Sequence, residues 1–307
     1  MNQSNSTRLR YVLITPARNE EAFIRFTIES VISQTVLPEC WVIVSDGSTD
    51  RTDDIVKEYL PKYRWIELLR LPEKRDRSFA GKVTCFEAGR LRASNVPHEI
   101  LGNLDGDVSF EPDYMEFLIE KFESIPNLGV AGTPFVEDGY SSIADSFEGG
   151  NHVAGGCQLF RKECFDEIGG YVPNKEGGID WIAVTTARMK GWKTMSFKEK
   201  TFFHHRPLGT GGAPGIRALY HYGRKDYYLG NHPIWEILRF LYRLSKRPYV
   251  VGALVLLGGY LWAAATRMER PISPELMRFH RREEMEKLKM ILVSLMKLKR
   301  FDKYAGQ

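Results

Sequence analysis

The 307-residue sequence predicts an α/β fold, a mostly parallel Rossmann-like sheet flanked by helices, followed by a helical C-terminal region. Three observations carry this. Short apolar runs alternate with helically spaced segments through the first two hundred residues. Several runs end in polar, acid-containing turns, where open parallel sheets bind their ligands. The charge is also divided. From position 201 onward 19 Lys and Arg face 8 Asp and Glu, a balance of +11, whereas the first 200 residues carry 24 against 31, a balance of −7. With 43% of residues apolar and 27% charged, the chain can bury a core and is neither disordered nor fibrous.

Residues 11–15 (YVLIT) form the first apolar run. A helix over 20–33 follows, with Phe23, Phe26, Ile28, Val31 and Ile32 on one side. Residues 41–45 (WVIVS) read as a second strand, then a helix opened by the cap-like Ser48-Thr49-Asp50. Further strands are predicted at 65–71, 100–104, 130–135 and 194–203, and helices near 82–93, 113–122 and 181–190. Runs this short and this apolar suit strands covered on both faces. There is no internal repeat or low-complexity segment. Cys40, Cys85, Cys157 and Cys164 lack CxxC spacing, which argues against a zinc ribbon and a disulfide scaffold. The polar N-terminus MNQSNSTRLR has no secretory-signal pattern, so an intracellular location is expected.

The turns carry the chemistry. The first strand runs into Thr15-Pro16-Ala17-Arg18-Asn19-Glu20-Glu21, the second into Ser45-Asp46-Gly47-Ser48-Thr49-Asp50, and the strand at 100–104 into Asp105-Gly106-Asp107. A nucleotide site needs donors and acceptors for the base and a cation to neutralise a diphosphate. Two carboxylates one residue apart at a strand end can share a hard divalent ion. Each motif alone has a plainer reading: a solvated turn, a helix cap, or acids placed favourably in a first helical turn. Their conjunction, each behind its own strand, favours a site.

TPARNEE, VSDGSTDRT, Gly81-Lys82 with Gly89 seven residues after the lysine, and LDGD together resemble the nucleotide-binding half of family 2 glycosyltransferases with the GT-A fold. Gly156-Cys157-Gln158-Leu159-Phe160-Arg161 and Ile168-Gly169-Gly170-Tyr171 are similar to that family's acceptor-side segment. The resemblance reaches Gly178-Ile179-Asp180-Trp181, ten residues before Gly191-Trp192. It implies a catalytic domain over 1–212, with a nucleotide-binding half (1–110) and an acceptor half (111–212), and a separate basic region at 213–307. It further implies that Thr15, Pro16, Ala17, Asn19, Glu20, Ser48 and Gly106 line the nucleotide-sugar pocket and that Asp46 hydrogen-bonds the base. Lys82 would lie near the donor phosphates. Asp105 and Asp107 match the DxD motif that holds Mg2+ or Mn2+, with Asp107 the direct ligand, and Asp180 matches the catalytic base. Two positions depart from the pattern: Ile179 stands where the family usually has Glu, and Glu87 where an Asn is usual.

The implied activity is a metal-dependent, inverting transfer from a nucleoside-diphosphate sugar, a UDP-sugar favoured, to a glycan or lipid-linked acceptor. One carboxylate and one metal site suffice, because the base takes the acceptor proton while the metal stabilises the departing diphosphate. Asp180 could also act as N-cap of the helix at 181–190. His204 and His205 follow the strand at 194–203, and the resemblance implies that one of them completes the metal sphere. In extended backbone their rings point to opposite sides, so at most one reaches the metal. The glycine-rich stretch at 209–215 could be a lid or a linker. A non-catalytic GT-A module binding nucleotide or glycan as a scaffold is the alternative. A sugar-1-phosphate nucleotidyltransferase would require a glycine-rich basic loop after the first strand, which TPARNEE is not.

Residues 248–266 are uncharged and mostly apolar, and a helix over them would span about 28 Å against a hydrocarbon core of about 30 Å. Arg243, Lys246 and Arg247 precede this run, and Arg267 and Arg270 follow it. Basic residues on both sides suit an in-plane or re-entrant segment at the cytoplasmic face of the cell membrane, with 234–244 as an interfacial helix. A buried core or dimer helix is the other reading. The aromatic and apolar content of the basic region favours a membrane surface over nucleic acid.

Overall fold

The computed structural model describes residues 8–72, 79–138, 140–142, 149–206 and 215–296. They fall into two compact units, one of residues 8–175 with 179–206 and one of 176–178 with 215–296.

The first unit is built on β1 (Tyr11–Ala17), α1 (Ile24–Ile32), β2 (Cys40–Asp46), α2 (Thr52–Lys57), β3 (Ile66–Leu71), α3 (Phe79–Arg92) and β4 (Ile100–Leu104). β5 (Val108–Ser109), α4 (Tyr114–Ser124), β6 (Leu128–Gly132), β7 (Phe135–Glu137), β8 (Tyr140–Ser141) and β9 (Cys157–Arg161) follow. α5 (Lys162–Glu167), α6 (Ile179–Met189), β10 (Lys193–Ser196) and β11 (Phe202–His204) complete it. A seven-stranded sheet has the order β10-β6-β9-β4-β1-β2-β3. β1 pairs in parallel with both β2 and β4, so the turns leaving these three strands emerge side by side. β2 is buried along its whole length, the mark of a strand covered on both faces. Gly89 lets α3 lie against the sheet: a Cβ there would stand 2.6 Å from Ile14 Cγ2 and 3.0 Å from Val44 Cγ2. All four cysteines are free and buried.

The sheet is mostly parallel, as expected, and its one antiparallel strand is β9, which the apolar runs do not announce and which inserts between β4 and β6. Two expectations need correction. The predicted strands at 130–135 and 194–203 are each split between two sheets. Pro134 interrupts the first, since it cannot donate to a ladder, and the polar Lys198-Glu199-Lys200 turn interrupts the second. The far halves, β7 and β11, join β5 and β8 in a second sheet of order β5-β11-β7-β8. The predicted helix at 20–33 starts later, at Ile24, because Asn19 adopts a positive φ of 55° and Glu20 O closes a turn with the Phe23 and Ile24 amides.

The second unit is helical: α7 (Ile216–Tyr228), α8 (Pro233–Arg243), α9 (Tyr249–Ala265) and α10 (Pro274–Met296). α8 opens on Pro233, with His232 Nδ1 accepting from the Ile234 amide. α7 and α9 touch backbone to backbone. A Cβ on Gly223 would stand 1.9 Å from Leu256 O, and one on Gly259 2.2 Å from Tyr220 O. Gly252 and Gly259 of α9 are buried, while Val250, Val251, Leu254, Leu261 and Trp262 are exposed, as are Ile234, Ile237 and Leu241 of α8. Among the described residues no helix is long and apolar enough to cross a membrane.

Candidate active site

All the site residues predicted from sequence lie in the first unit. Parallel pairing sets Ala17 opposite Ser45, and the turns after β1 and β2 interlock from there. Asn19 donates its amide to Ser48 Oγ at 3.2 Å and accepts from the Thr49 amide at 2.9 Å through Oδ1. The Glu20 amide donates to Thr52 Oγ1 at 2.7 Å. Ser48 also accepts from Ser45 Oγ at 3.1 Å. Thr15 faces the other way, its hydroxyl accepting from the Trp41 indole at 2.9 Å. Pro16 is half-buried and Ala17 buried at the strand end. Asp46 is 7% exposed. Its Oδ2 lies 3.5 Å from Arg18 Nη1, and its buried Oδ1 has no hydrogen-bond partner among the described residues. A buried acceptor left open is costly unless something else donates to it.

Behind β4, the Asp105 amide donates to Gly156 O at 2.8 Å, fixing the turn against the start of β9. Gly106 is buried, with no room to spare: a Cβ would meet Ile24 Cδ1 at 3.3 Å and Glu20 Cγ at 3.4 Å. Asp105 Oδ1 lies 2.5 Å from Lys82 Nζ. Burial acts to lower the Lys82 pKa, but Asp105, Asp180 and Asp107 outweigh it and the pKa is raised, so this lysine stays charged. Burial raises the Asp105 pKa, opposed by Lys82 and assisted by Asp107.

Asp107 is 7% exposed and meets two further groups. His204 Nε2 lies 3.6 Å from its Oδ1, and Arg206 Nε lies 3.3 Å from its Oδ2. Arg206 also pairs with Glu20 Oε2 and sits over the Phe23 ring. His204 Nδ1 is 2.8 Å from Glu137 Oε1. The adjacent ring points elsewhere: His205 Nε2 is 2.9 Å from Ser109 Oγ, and the ring stacks on Phe26 at 4.6 Å. Burial lowers its pKa. Of the two predicted histidines, His204 is the one placed at Asp107.

Asp180 lies inside the first turn of α6 rather than at its N-cap, because the helix begins one residue earlier, at Ile179. It packs on Gly155, where a Cβ would stand 2.9 Å from Asp180 Oδ2. Asn103 Nδ2 holds Gly155 O at 2.9 Å. Glu87, at the position where the family usually has Asn, accepts from Arg90 Nε at 2.9 Å. The acceptor-side motifs are tied together by Tyr171, whose hydroxyl donates to Gln158 Oε1 at 2.8 Å. The glycine-rich stretch at 209–215 falls, except for Gly215, outside the described residues.

Sequence reasoning missed Glu137, Gly155 and the partners of Arg18 and Arg206. No local pattern marks Glu137, a single acid on a three-residue strand. Arg206 follows the two histidines directly, and its pairing with Glu20 spans 186 positions. Among the described residues no group of three or more His, Cys, Asp and Glu could by itself hold a metal ion. Asp107 and His204 offer an oxygen and a nitrogen to a shared space, so a cation there would need further oxygens from a bound ligand.

A family model described as Glycosyl transferase family 2 matches residues 12–144. A poly-beta-1,6-N-acetyl-D-glucosamine synthase of Staphylococcus epidermidis is 28% identical over 170 residues, covering 49% of this chain. The match spans only 39% of that relative's length. Mannosyltransferase PcManGT from Pyrobaculum calidifontis, solved with GDP-Man and Mn2+, superposes with TM-score 0.56 at 15% identity, over 96% of this chain and 89% of its own. S. aureus TarS 1–349 with UDP-GlcNAc gives 0.54 at 12% identity, over 97% and 95%. At these identities the structural likeness shows the fold. Residues 12–144 are therefore similar to the family 2 glycosyltransferases, and the unit that contains them has the GT-A fold.

Proposed function

We propose that this chain is a metal-dependent, inverting glycosyltransferase that moves a hexosyl or N-acetylhexosaminyl group from a nucleoside-diphosphate sugar to a glycan or lipid-linked acceptor. The observation that carries this reading is the charge arrangement around Lys82, whose ammonium lies 2.5 Å from Asp105 and is also held charged by Asp107 of the same turn and by Asp180 of α6. A purely structural lysine would need one partner. A lysine among three carboxylates marks a place where charge is held ready for an anionic ligand.

In this reading the open Oδ1 of Asp46 accepts from the nucleotide base, beside the interlocked Asn19 and Ser48 turn. Lys82 and Arg206 present positive charge to the diphosphate. Asp107 and His204 would hold the divalent ion, and a carboxylate oxygen with an imidazole nitrogen suits Mn2+ better than Mg2+. When bound, that ion would offset the negative charge that develops on the departing diphosphate. Asp180 removes the acceptor hydroxyl's proton as that oxygen attacks the anomeric carbon from the face opposite the leaving group. A single base suffices, which accommodates Ile179. The UDP-GlcNAc bound by TarS and the polymer named for the Staphylococcus relative favour a UDP-sugar and a polysaccharide product.

We further propose that the helical unit rests on the cytoplasmic face of a membrane, through the exposed apolar residues of α8 and α9 and their basic flanks. A lipid-linked acceptor would be presented there.

The test is nucleoside diphosphate release from UDP-sugars with Mn2+ in wild type and Asp180→Asn. Wild type should turn over, and the variant should lose about 10²–10⁴-fold in kcat while binding UDP as before. Nucleotide binding without turnover in wild type would favour the scaffold reading instead.

A further inference from the structure

An imidazole can turn either nitrogen toward a ligand, and the partner of the other nitrogen decides which. His204 has such a partner. Its Nδ1 lies 2.8 Å from Glu137 Oε1, while Nε2 lies 3.6 Å from Asp107 Oδ1. The two contacts differ in kind. The first is a hydrogen bond. The second is too long for one, so two groups face each other across a gap.

The fold fixes this pairing. β7 and β11 run parallel, with Phe203 opposite Val136, so the next residues along, His204 and Glu137, are neighbours at the same end. On its other side β11 pairs antiparallel with β5, His204 opposite Val108, next to Asp107. Glu137, His204 and Asp107 thus come from three strands of one small sheet or its edge. The Glu137 side chain is only 8% exposed. An ionised carboxylate accepts and cannot donate, so it calls for a proton on Nδ1. That leaves the Nε2 lone pair directed at the Asp107 side, where a second acceptor-only group stands. Two acceptors held apart in this way suit a cation between them.

We propose that Glu137 is a positioning residue: by accepting from His204 Nδ1–H it holds His204 in the tautomer and orientation that offer Nε2, with Asp107, to a divalent ion. This rests on the metal-dependent reading above. It adds to that reading a residue carrying no motif, and it selects His204 over His205.

The first measurement needs no metal and no variant. The imidazole 15N shifts of metal-free wild type at pH 8 should show His204 protonated at Nδ1 and bare at Nε2. A proton on Nε2 overturns the inference and leaves the metal reading standing. The second measurement titrates Mn2+, alone and with UDP, and records nitrogen couplings by pulsed electron paramagnetic resonance. Wild type should show a histidine nitrogen on the ion. Glu137→Leu should bind Mn2+ about 10- to 100-fold more weakly and lose that coupling. Glu137→Gln, whose amide oxygen accepts the same hydrogen bond, should keep the coupling. Wild-type affinity and coupling in Glu137→Leu would overturn the role of Glu137 alone. If wild type binds no Mn2+ under either condition, both readings fall.

Discussion

The position of Asp180, the proposed base, depends on a neighbour that has no side chain. With Gly155 replaced by Ala, the new Cβ would press within 2.9 Å of Asp180 Oδ2, and the carboxylate would have to move. A displacement near 1 Å can cost about 10²-fold in rate. Gly155→Ala is therefore expected to lower kcat by about that factor while leaving the Kd for UDP unchanged, compared by steady-state kinetics and calorimetry. Asp46 gives a second test. Its buried, open Oδ1 is assigned here to the base, and a hydrogen bond to a charged group contributes about 1.5–3 kcal/mol. Asp46→Ala should weaken UDP binding by at least tenfold and leave Mn2+ affinity without nucleotide unaltered. Equal UDP affinity in the variant would detach Asp46 from the base.

Among the elements, the α7–α9 crossing and the buried end of α8 are the most exacting. Gly223 sits so close to Leu256 O that any side chain must separate the two helices. Overpacking of this kind costs about 1–3 kcal/mol, and here the obstacle is rigid backbone. Gly223→Ala should lower the unfolding midpoint of the helical unit by several degrees, seen by thermal melts followed by circular dichroism. α8 also buries Glu236, where burial raises the pKa to about 8, with Asp226 adding to the rise and Arg239 opposing it. Asn231 Nδ2 donates to its Oε1 at 3.0 Å, and Glu284 stands near from α10. Because the folded pKa is raised above the unfolded value of 4.5, Glu236 costs no stability below that pH. Stability is then lost progressively as pH climbs to about 8, and the loss levels off above it. Glu236→Gln keeps an oxygen for Asn231 and should leave stability at pH 4.5 nearly unchanged while raising it by a few kcal/mol at pH 9. A constant offset across pH would show that the carboxyl is not protonated in the folded chain.

At the scale of the whole molecule, the charge division read from the sequence coincides with the structural one: the α/β unit is acidic and the helical unit basic. α9 carries no charge over 17 residues, and it leaves Trp262 60% exposed. Such a face, flanked by Lys246, Arg247 and Arg267, suits an anionic bilayer, each basic residue near the surface contributing about 1 kcal/mol. The protein is expected to sediment with vesicles containing phosphatidylserine, less so in high salt and weakly with neutral vesicles. Lys246→Glu with Arg247→Glu should reduce binding about tenfold or more. Leu254→Ser with Trp262→Ser should reduce it at any salt. Wild type left in the supernatant with anionic vesicles would remove the membrane proposal and keep the enzymatic one.

The parts of this protein legible from sequence are those governed by near neighbours. The apolar runs of β1, β2 and β4 and the polar turns behind them follow from local burial and turn chemistry, which is how Asp46, Asp105 and Asp107 were singled out, whereas Asp180 was singled out only by the family resemblance. α8 and α9 were legible too, because their apolar content and basic flanks lie within one stretch of chain. Other features depend on residues far apart in the chain. β9 is an ordinary short run, CQLFR, whose antiparallel place is decided by the gap between β4 and β6. Whether 194–203 formed one strand or two depended on a second sheet assembled from β5, β7, β8 and β11. The choice between His204 and His205 needed Glu137, 67 residues away, and Ser109, 96 away. Alternation told only that the two rings diverge. Which one meets Asp107 was settled by the strands packed on either side of β11, since a side chain's partners across a sheet are set by register and not by its own neighbours in the chain.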